Sequence, residues 1–177
     1  MKKKVLVVGS FDAISRGVVG GIACSCEELM DSIFVSKFDV ITLDSTQKTN
    51  PPPSLIYRSF YALRRILLFI YMIIIKKPDA VLLFFSSGAS FYEKCSMGWI
   101  AKILKIHVIL FPRAGALMVD FNKKSILSSL GKILFNCGDL FLAQGPSWYS
   151  FANEIVGFSS ENISIIPNWT SNSFRQN

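Results

Sequence analysis

Short apolar runs alternate with stretches of helical periodicity along nearly the whole chain. Continuous apolar runs rich in β-branched residues are typical of strands that are covered on both faces. Such runs predict strands at Val5–Val8, Phe38–Leu43, Ala80–Phe85, Ile106–Phe111, Leu140–Ala143 and Ile163–Ile166. The intervening periodicity predicts helices over Val18–Phe34, Leu55–Lys77, Ser90–Lys105, Asn122–Asn136 and Trp148–Val156. This alternation predicts one α/β domain with a doubly wound, Rossmann-like parallel sheet, whose ligands bind outside the carboxyl ends of the strands.

The stretch Lys4–Gly21 is the predicted first unit, a buried strand followed by a polar loop and a helix start. Gly20 and Gly21 stand at that helix start, where small residues and exposed backbone N–H groups let an anion or a sugar approach closely. A helix-start turn that needs close packing is the alternative interpretation. A dinucleotide fingerprint would require glycines where Phe11 and Ile14 stand, which excludes a pyrophosphate-binding turn of that type.

The predicted helix Leu55–Lys77 is the longest element, and Pro78 ends it. Residues spaced by three and four form one apolar stripe, which we expect to face the core: Ile56, Phe60, Leu63, Leu67, Ile70 and Ile74. The second half of the helix is apolar on every side, so an outer face that meets lipid is the alternative. The apolar run Ile66–Ile75 covers about half of the roughly 20 residues that a membrane span needs. We therefore expect no membrane span.

The chain carries a formal charge of +7 over 177 residues. This charge favours a partner with negative charge, such as nucleic acid, an anionic bilayer surface or a phosphate-bearing substrate. No nucleic-acid-binding module appears, so nucleic acid is not expected. Two basic helix faces are either solvated charge or sites that dock on an anionic leaflet: Arg58, Arg64 and Arg65, and Lys123, Lys124 and Lys132.

Histidine and cysteine chemistry is sparse in this sequence. The single histidine, His107, lies in an apolar strand and is predicted to be a core residue, so a histidine triad or metal cluster is hard to assemble. We expect no metal site and no resident cofactor. The spacing of the four cysteines favours buried free thiols in a reducing, cytoplasmic compartment.

Ser90 and Glu93 have the spacing of a capping box at the start of a helix.

Five short motifs, taken together and in order, resemble the amino-terminal domain of GT-B glycosyltransferases. Family 4, the bacterial polysaccharide and lipid-linked sugar transferases, is the most similar. The motifs are Lys4–Ser10, Gly20–Ile22, Lys77–Leu82, Gln144–Ser147 and Asn162–Asn168. The resemblance implies that residues 1–168 form the acceptor-side domain and that residues 169–177 begin the hinge to a C-terminal domain. In this family the C-terminal domain binds the sugar nucleotide, so the chain ending at Asn177 is not expected to act alone.

The resemblance also implies which residues line the cleft. Gly20 and Gly21 would face the donor diphosphate, and Arg113 would hold a phosphate or stabilise leaving-group charge, unless it caps helix carbonyls. Further cleft residues are expected where the strands end: Ser86, Ser87, Gly88, Gly115, Gln144 and Ser147. A simple strand exit is the alternative for Ser86 to Gly88. For Gln144 and Ser147 the alternative is a turn with a helix N-cap.

The implied activity is transfer of a sugar from a nucleotide-sugar donor to a saccharide or lipid-linked acceptor in cell-surface polysaccharide synthesis. The donor is a substrate, not a cofactor, and the implied location is cytoplasmic, with peripheral attachment to the inner membrane face. A separate donor-binding chain would then be a partner. The alternatives are a non-catalytic Rossmann-like interaction domain, a membrane-associated subunit of a split transferase, and a flavodoxin-like nucleotide enzyme.

Overall fold

The computed structural model describes residues 2–12, 20–47, 54–122 and 126–167, which contain a six-stranded sheet. The strands are β1 (Lys4–Gly9), β2 (Asp39–Asp44), β3 (Ala80–Phe85), β4 (His107–Pro112), β5 (Leu140–Ala143) and β6 (Ile163–Ile165). Their order is β2-β1-β3-β4-β5-β6, and all neighbours are parallel. The predicted α/β class and parallel sheet are confirmed. From β1 the chain adds β2 on one side and β3 to β6 on the other, so the strand order reverses between β1 and β3. Sheets of this kind bind ligands at such a switch point.

Helices cover both faces of the sheet. They are α1 (Gly21–Met30), α2 (Ile33–Lys37), α3 (Leu55–Lys76), α4 (Ala89–Ile103), α5 (Ala116–Asn122), α6 (Ile126–Phe135) and α7 (Pro146–Ser150). A π-helical turn, Phe151–Val156, continues α7, and a 3-10 turn, Ser160–Asn162, precedes β6. The first predicted helix is thus two helices, because Ser32 caps α2 by accepting a hydrogen bond from the backbone N–H of Phe34. The predicted helix Asn122–Asn136 corresponds to the end of α5 and to α6.

The core lies in two layers, one on each face of the sheet. Successive side chains of β1 point to opposite faces, so Leu6 and Val8 enter one layer and Val5 and Val7 the other. Helices α3 to α7 cover the first layer, whose centre is a group of phenylalanine rings in tilted and edge-on contact: Phe91, Phe121, Phe135 and Phe151. Helices α1 and α2 pack on the second layer.

The interpretation of His107 as a core residue is wrong. Its side chain is 52% exposed, and its Nδ1 lies 3.6 Å from Oδ2 of Asp139. His107 is the first residue of β4, at the amino end of the strand, where a side chain reaches solvent at the edge of the sheet.

The predicted capping box is also wrong. Helix α4 begins after Gly88, which has a positive φ of 65° and caps the helix without a side chain. The Ser90 hydroxyl accepts a hydrogen bond from the backbone N–H of Ser86. Glu93 instead turns away from the helix start toward α3, where it meets an arginine.

The predicted core stripe of α3 faces outward instead. Ile56, Phe60, Leu63, Leu67 and Ile74 are all exposed. The buried side of α3 is formed by Phe69 and Ile73, with Ile66 and Met72 partly buried beside them. Apolar residues surround the second half of the helix, so periodicity alone did not identify the buried face. Within the described ranges, no helix is at once long enough and apolar enough to cross a membrane.

Candidate substrate-binding cleft

A cleft of about 470 Å³ opens at the carboxyl ends of β1, β3 and β4. Its volume is in the range of small-molecule sites. The start of α1, the first half of α3 and the start of α4 form its walls, and its polar and small residues include Ser10, Gly20, Gly21, Thr46, Arg58, Arg65, Ser86, Ser90, Glu93, Lys94 and Arg113.

Asp44 ties the ends of β1 and β2 together at one side of the cleft. Its Oδ1 accepts hydrogen bonds from the backbone N–H groups of Phe11 (3.0 Å) and Thr46 (3.1 Å) and from the Thr46 hydroxyl. The Thr46 hydroxyl also lies 2.9 Å from the hydroxyl of Ser10. Burial alone would raise the pKa of Asp44, but these hydrogen bonds outweigh it and hold the pKa below its ordinary value. Asp44 is therefore a charged anchor that fixes the loop after β1.

Gly9 sets the distance between β1 and α1. A methyl group at Gly9 would collide with Sγ of Cys26, so the end of the strand packs directly on the helix. Burial raises the pKa of Cys26 to about 12, which keeps this thiol protonated and unreactive at neutral pH. The contact positions the amino end of α1 beside the cleft.

Gly20 and Gly21 form the start of α1. Gly20 is the N-cap, in an extended conformation and with no side-chain cap. A Cβ at either position would meet no atom of the described residues within 4 Å. Packing against residues 2–12, 20–47, 54–122 and 126–167 therefore does not require glycine here, and the space above both residues opens into the cleft. The backbone N–H groups of a first helical turn are natural partners for an anion.

Arg65, Glu93 and Lys94 form a charged cluster between α3 and α4. Oε1 of Glu93 accepts a 2.6 Å hydrogen bond from Nε of Arg65, and Oε2 accepts bonds from a terminal guanidinium nitrogen of Arg65 (3.0 Å) and from Nζ of Lys94 (3.1 Å). Glu93 is 9% exposed and Lys94 only 2% exposed. The cluster therefore holds two cations and one anion at the wall of the cleft.

Burial and charge act in opposite directions within this cluster. Burial would raise the pKa of Glu93, but the hydrogen bonds and charges of Arg65 and Lys94 outweigh it and lower the pKa. Burial lowers the pKa of Lys94, and Glu93 only partly opposes this. Lys94 is thus a buried amine whose protonated form depends on the Glu93 carboxylate.

Arg113 also lines the cleft, and it lies directly after β4. Its backbone N–H donates to the carbonyl of Phe85 (2.8 Å), and its guanidinium lies 5.0 Å from the centroid of the Phe111 ring. Burial lowers the pKa of Arg113 from its ordinary, very high value. The cation is held by backbone pairing and by an aromatic face, both of which fix its position.

The structure brings Gly20, Gly21, Ser86 and Arg113 together around the cleft. The other predicted cleft residues lie outside its lining: Ser87, Gly88, Gly115, Gln144 and Ser147. Nε2 of Gln144 donates to the carbonyl of Pro112 (2.7 Å), a structural link between β4 and β5. Ser147 is exposed in the first turn of α7, whose N-cap is Gly145. Gly115 is exposed just before α5.

The basic residues expected to form docking faces are divided by the structure. Arg58 and Arg65 line the cleft, and Arg65 pairs with Glu93, so these two do not form an outward basic face. Arg64 and Lys132 are exposed. Lys123 and Lys124 lie outside the described residues, as do the predicted hinge residues 169–177.

Sequence reasoning missed Glu93 and Lys94 as cleft residues. One signal was present: Lys94 occupies a position of the buried stripe that Phe91, Gly98 and Ala101 share at helical spacing. A charged residue within such a stripe requires a partner, because an unpaired buried charge is costly. Asp44 and Thr46 gave no comparable signal, since they follow a strand like many loop residues.

Nowhere in the described part of the chain do three histidine, cysteine, aspartate or glutamate residues come together as metal ligands would.

Neither a protein-family model nor a curated protein sequence matches this chain. Solved structures do. S. aureus MnaA in complex with UDP matches with a TM-score of 0.58 and 15% identity over 92% of this chain and 43% of that chain. A protein from Listeria monocytogenes assigned as a UDP-N-acetylglucosamine 2-epimerase matches with a TM-score of 0.51 and 13% identity, over 92% of this chain and 44% of the other. The chain thus has the fold of one domain of these GT-B-like proteins and spans less than half their length.

Proposed function

We propose that this chain is the acceptor-side domain of a sugar-nucleotide-dependent transferase, and that its cleft holds a phosphate-bearing part of the substrates. The observation that carries the proposal is the charge of the cleft. Its lining has four cations and one carboxylate, which are Arg58, Arg65, Lys94, Arg113 and Glu93. A concave, largely apolar site with this excess of positive charge suits a phosphate or diphosphate group.

The open space above Gly20 and Gly21 supports the same proposal. The described chain leaves this space unfilled, and the first-turn N–H groups of α1 are available to an anion there. Arg113 lines the same cleft, and the Phe111 ring positions its guanidinium before any ligand arrives. In a transfer reaction, a preorganised cation of this kind would stabilise the negative charge that develops on a leaving diphosphate. The acceptor would be a saccharide or a lipid-linked sugar, and a second domain or chain would bind the donor.

Epimerisation of a nucleotide sugar is the second candidate function. One structural neighbour was solved with UDP, and another is assigned as a UDP-N-acetylglucosamine 2-epimerase. The two functions differ in what they require. Transfer consumes an acceptor and releases the nucleotide diphosphate, whereas epimerisation changes the sugar of the donor with no acceptor present.

The first experiment tests the cleft by titrating the chain with inorganic pyrophosphate and with UDP-N-acetylglucosamine in a calorimeter. We expect Arg113→Gln to weaken binding by about tenfold or more, since a charge-assisted hydrogen bond is worth about 1.5–3 kcal/mol. Arg64→Gln is the matched control because Arg64 is exposed outside the cleft lining. Equal weakening by both substitutions would reject the cleft as the anion site.

The second experiment separates transfer from epimerisation. The chain is incubated with a radiolabelled UDP-sugar, with and without a membrane extract that contains lipid-linked saccharides. Where a candidate chain for the donor-binding half is known, that chain is added to the same reactions. Label that enters the lipid fraction supports transfer. A changed sugar without any acceptor supports epimerisation, and it would overturn the transferase assignment.

A further inference from the structure

Helix α3 presents a long apolar surface to solvent. Nine of its large side chains are between 43% and 82% exposed, and we call them the outer face of α3: Ile56, Tyr57, Phe60, Leu63, Leu67, Leu68, Tyr71, Ile74 and Ile75. The face extends along nearly the whole helix, whose 22 residues correspond to about 33 Å. Soluble monomers rarely expose a contiguous apolar surface of this length, and surfaces of this kind mark interaction sites.

Every charged side chain of α3 is positive. Helix α3 contains no aspartate or glutamate. Arg64 lies within the outer face, and Lys76 and Lys77 are exposed at its carboxyl end. Nζ of Lys4 lies 3.3 Å from the Lys76 carbonyl, and Oδ2 of Asp79 accepts a 2.7 Å hydrogen bond from the backbone N–H of Lys4, so these two residues add one charge of each sign near this end and leave it positive. The outer face is therefore an apolar stripe with cations at its middle and at one end.

We propose that the outer face of α3 docks on an anionic bilayer surface, with the helix axis parallel to the membrane plane. The apolar side chains would enter the boundary between headgroups and acyl chains, and Arg64, Lys76 and Lys77 would contact the phosphate groups. Tyr57 and Tyr71 have an apolar ring and a polar hydroxyl, which suits this boundary. This inference stands apart from the proposed transfer reaction, because it depends on the surface and not on the cleft.

The charge pattern favours a bilayer over a second copy of the chain. A symmetric dimer through the outer face would bring the same cations toward each other, and each chain already carries a net charge of +7. An anionic leaflet neutralises these charges instead. Helix α3 lies on this surface without crossing it, because the opposite side of the helix packs on the sheet through Phe69 and Ile73.

Docking in this orientation has a consequence for the cleft. Arg58 and Arg65 reach into the cleft from the same helix whose other side carries the outer face. The membrane surface would therefore lie one helix diameter, about 10 Å, from a wall of the cleft. Substrates attached to lipid would be held close to that wall.

Co-sedimentation with vesicles tests the proposal. We expect the chain to bind vesicles of phosphatidylcholine mixed with phosphatidylglycerol, and to bind pure phosphatidylcholine vesicles at least tenfold more weakly. Ile74→Glu is expected to weaken binding to the mixed vesicles at least tenfold. Ile33→Glu is the matched control, because Ile33 is 70% exposed on α2, on the other face of the sheet, and Ile74 is 57% exposed. This control should bind like the unchanged chain.

Several outcomes would overturn the proposal. Equal binding to neutral and anionic vesicles, no binding to either, or equal losses in Ile74→Glu and Ile33→Glu would each reject an anionic docking face on α3. Sedimentation velocity without lipid provides a further test, since a dimer that Ile74→Glu dissociates would assign the outer face to a second copy instead. Circular dichroism of each variant excludes unfolding as the cause of lost binding, and Leu67→Glu repeats the test at a second position of the same face.

Discussion

Glu93 is the residue on which the charged wall of the cleft depends. It accepts three hydrogen bonds, two from Arg65 and one from the almost fully buried Lys94. The two cations differ in their surroundings, because Arg65 is partly exposed and can turn to water, whereas Lys94 is almost fully buried. Removing the carboxylate should therefore affect Lys94 most, because its ammonium would either stay buried without a counter-charge or lose its proton.

The asymmetry of this cluster predicts unequal effects for two substitutions. Glu93→Gln is expected to lower the free energy of unfolding by about 3 kcal/mol, since Lys94 would then be buried beside a second cation without a counter-charge, or would have to lose its proton. Lys94→Met should change it by less than about 1 kcal/mol or raise it, because Arg65 still pairs with Glu93 and a costly buried charge is gone. Urea denaturation at neutral pH measures both. Glu154→Gln, at an exposed site, serves as the control, and equal losses for both cluster variants would contradict the argument.

Four single residues of the cleft were predictable from local patterns. Ser86 and Arg113 follow directly on strands, and Gly20 and Gly21 begin a helix. The structure places all four at the cleft, but it places other residues after strand ends, such as Gln144, outside the lining. Glu93 was assigned to a capping box because the pattern Ser-x-x-Glu fits two geometries. Only the position of α3 decides between them, and no local pattern encodes the distance from Arg65 to Glu93.

At the scale of elements, α3 is where sequence and structure differ most. Its bounds were predicted to within a residue, since Pro78 follows and the periodicity is long. Its orientation was predicted wrongly. A helix with apolar residues all round can bury any side, and here the side with Phe69 and Ile73 joins the core layer beside α4. Tertiary packing therefore determines which side of α3 is buried. The apolar stripe with the more regular helical spacing is the side exposed to solvent.

Two substitutions on opposite sides of α3 test this orientation. Phe69→Ala is expected to lower the free energy of unfolding by about 3–5 kcal/mol, because the ring is fully buried and its loss leaves a cavity. Leu67→Ala, two residues away and 60% exposed, should change it by less than about 0.5 kcal/mol. Chemical denaturation with matched slopes for both variants is the measurement. A larger loss for Leu67→Ala would mean that the helix is rotated relative to this structure.

At the scale of the whole molecule, the parallel sheet followed from simple facts in the sequence. Apolar runs alternate with helical stretches, and right-handed crossovers leave few ways to connect them. The shape of the cleft did not follow, since it depends on the angle and depth at which α3 and α4 pack at the carboxyl edge. Asp44 shows this dependence, because its role arises from the loops after β1 and β2 meeting in space.

The acid stability of the molecule should reflect its lowered carboxyl pKa values. Asp44 and Glu93 both have pKa values below those of the unfolded chain, so their charged forms stabilise the fold above the unfolded pKa of about 4. That contribution is lost as the pH falls through their lower, folded values. We therefore expect the free energy of unfolding to decrease progressively below about pH 5.

Asp44→Asn isolates one part of this acid dependence. The variant should be less stable than the unchanged chain at neutral pH, because the amide cannot replace a charged acceptor of the Phe11 and Thr46 N–H groups. The difference should shrink as the pH falls, since protonation removes the same charge from the unchanged chain. Urea denaturation between neutral pH and about pH 3 measures it. Asp120→Asn, at an exposed position of α5, is the control. A difference for Asp44→Asn that stays constant with pH would show that the loss comes from packing and not from the charge that ties β1 to β2.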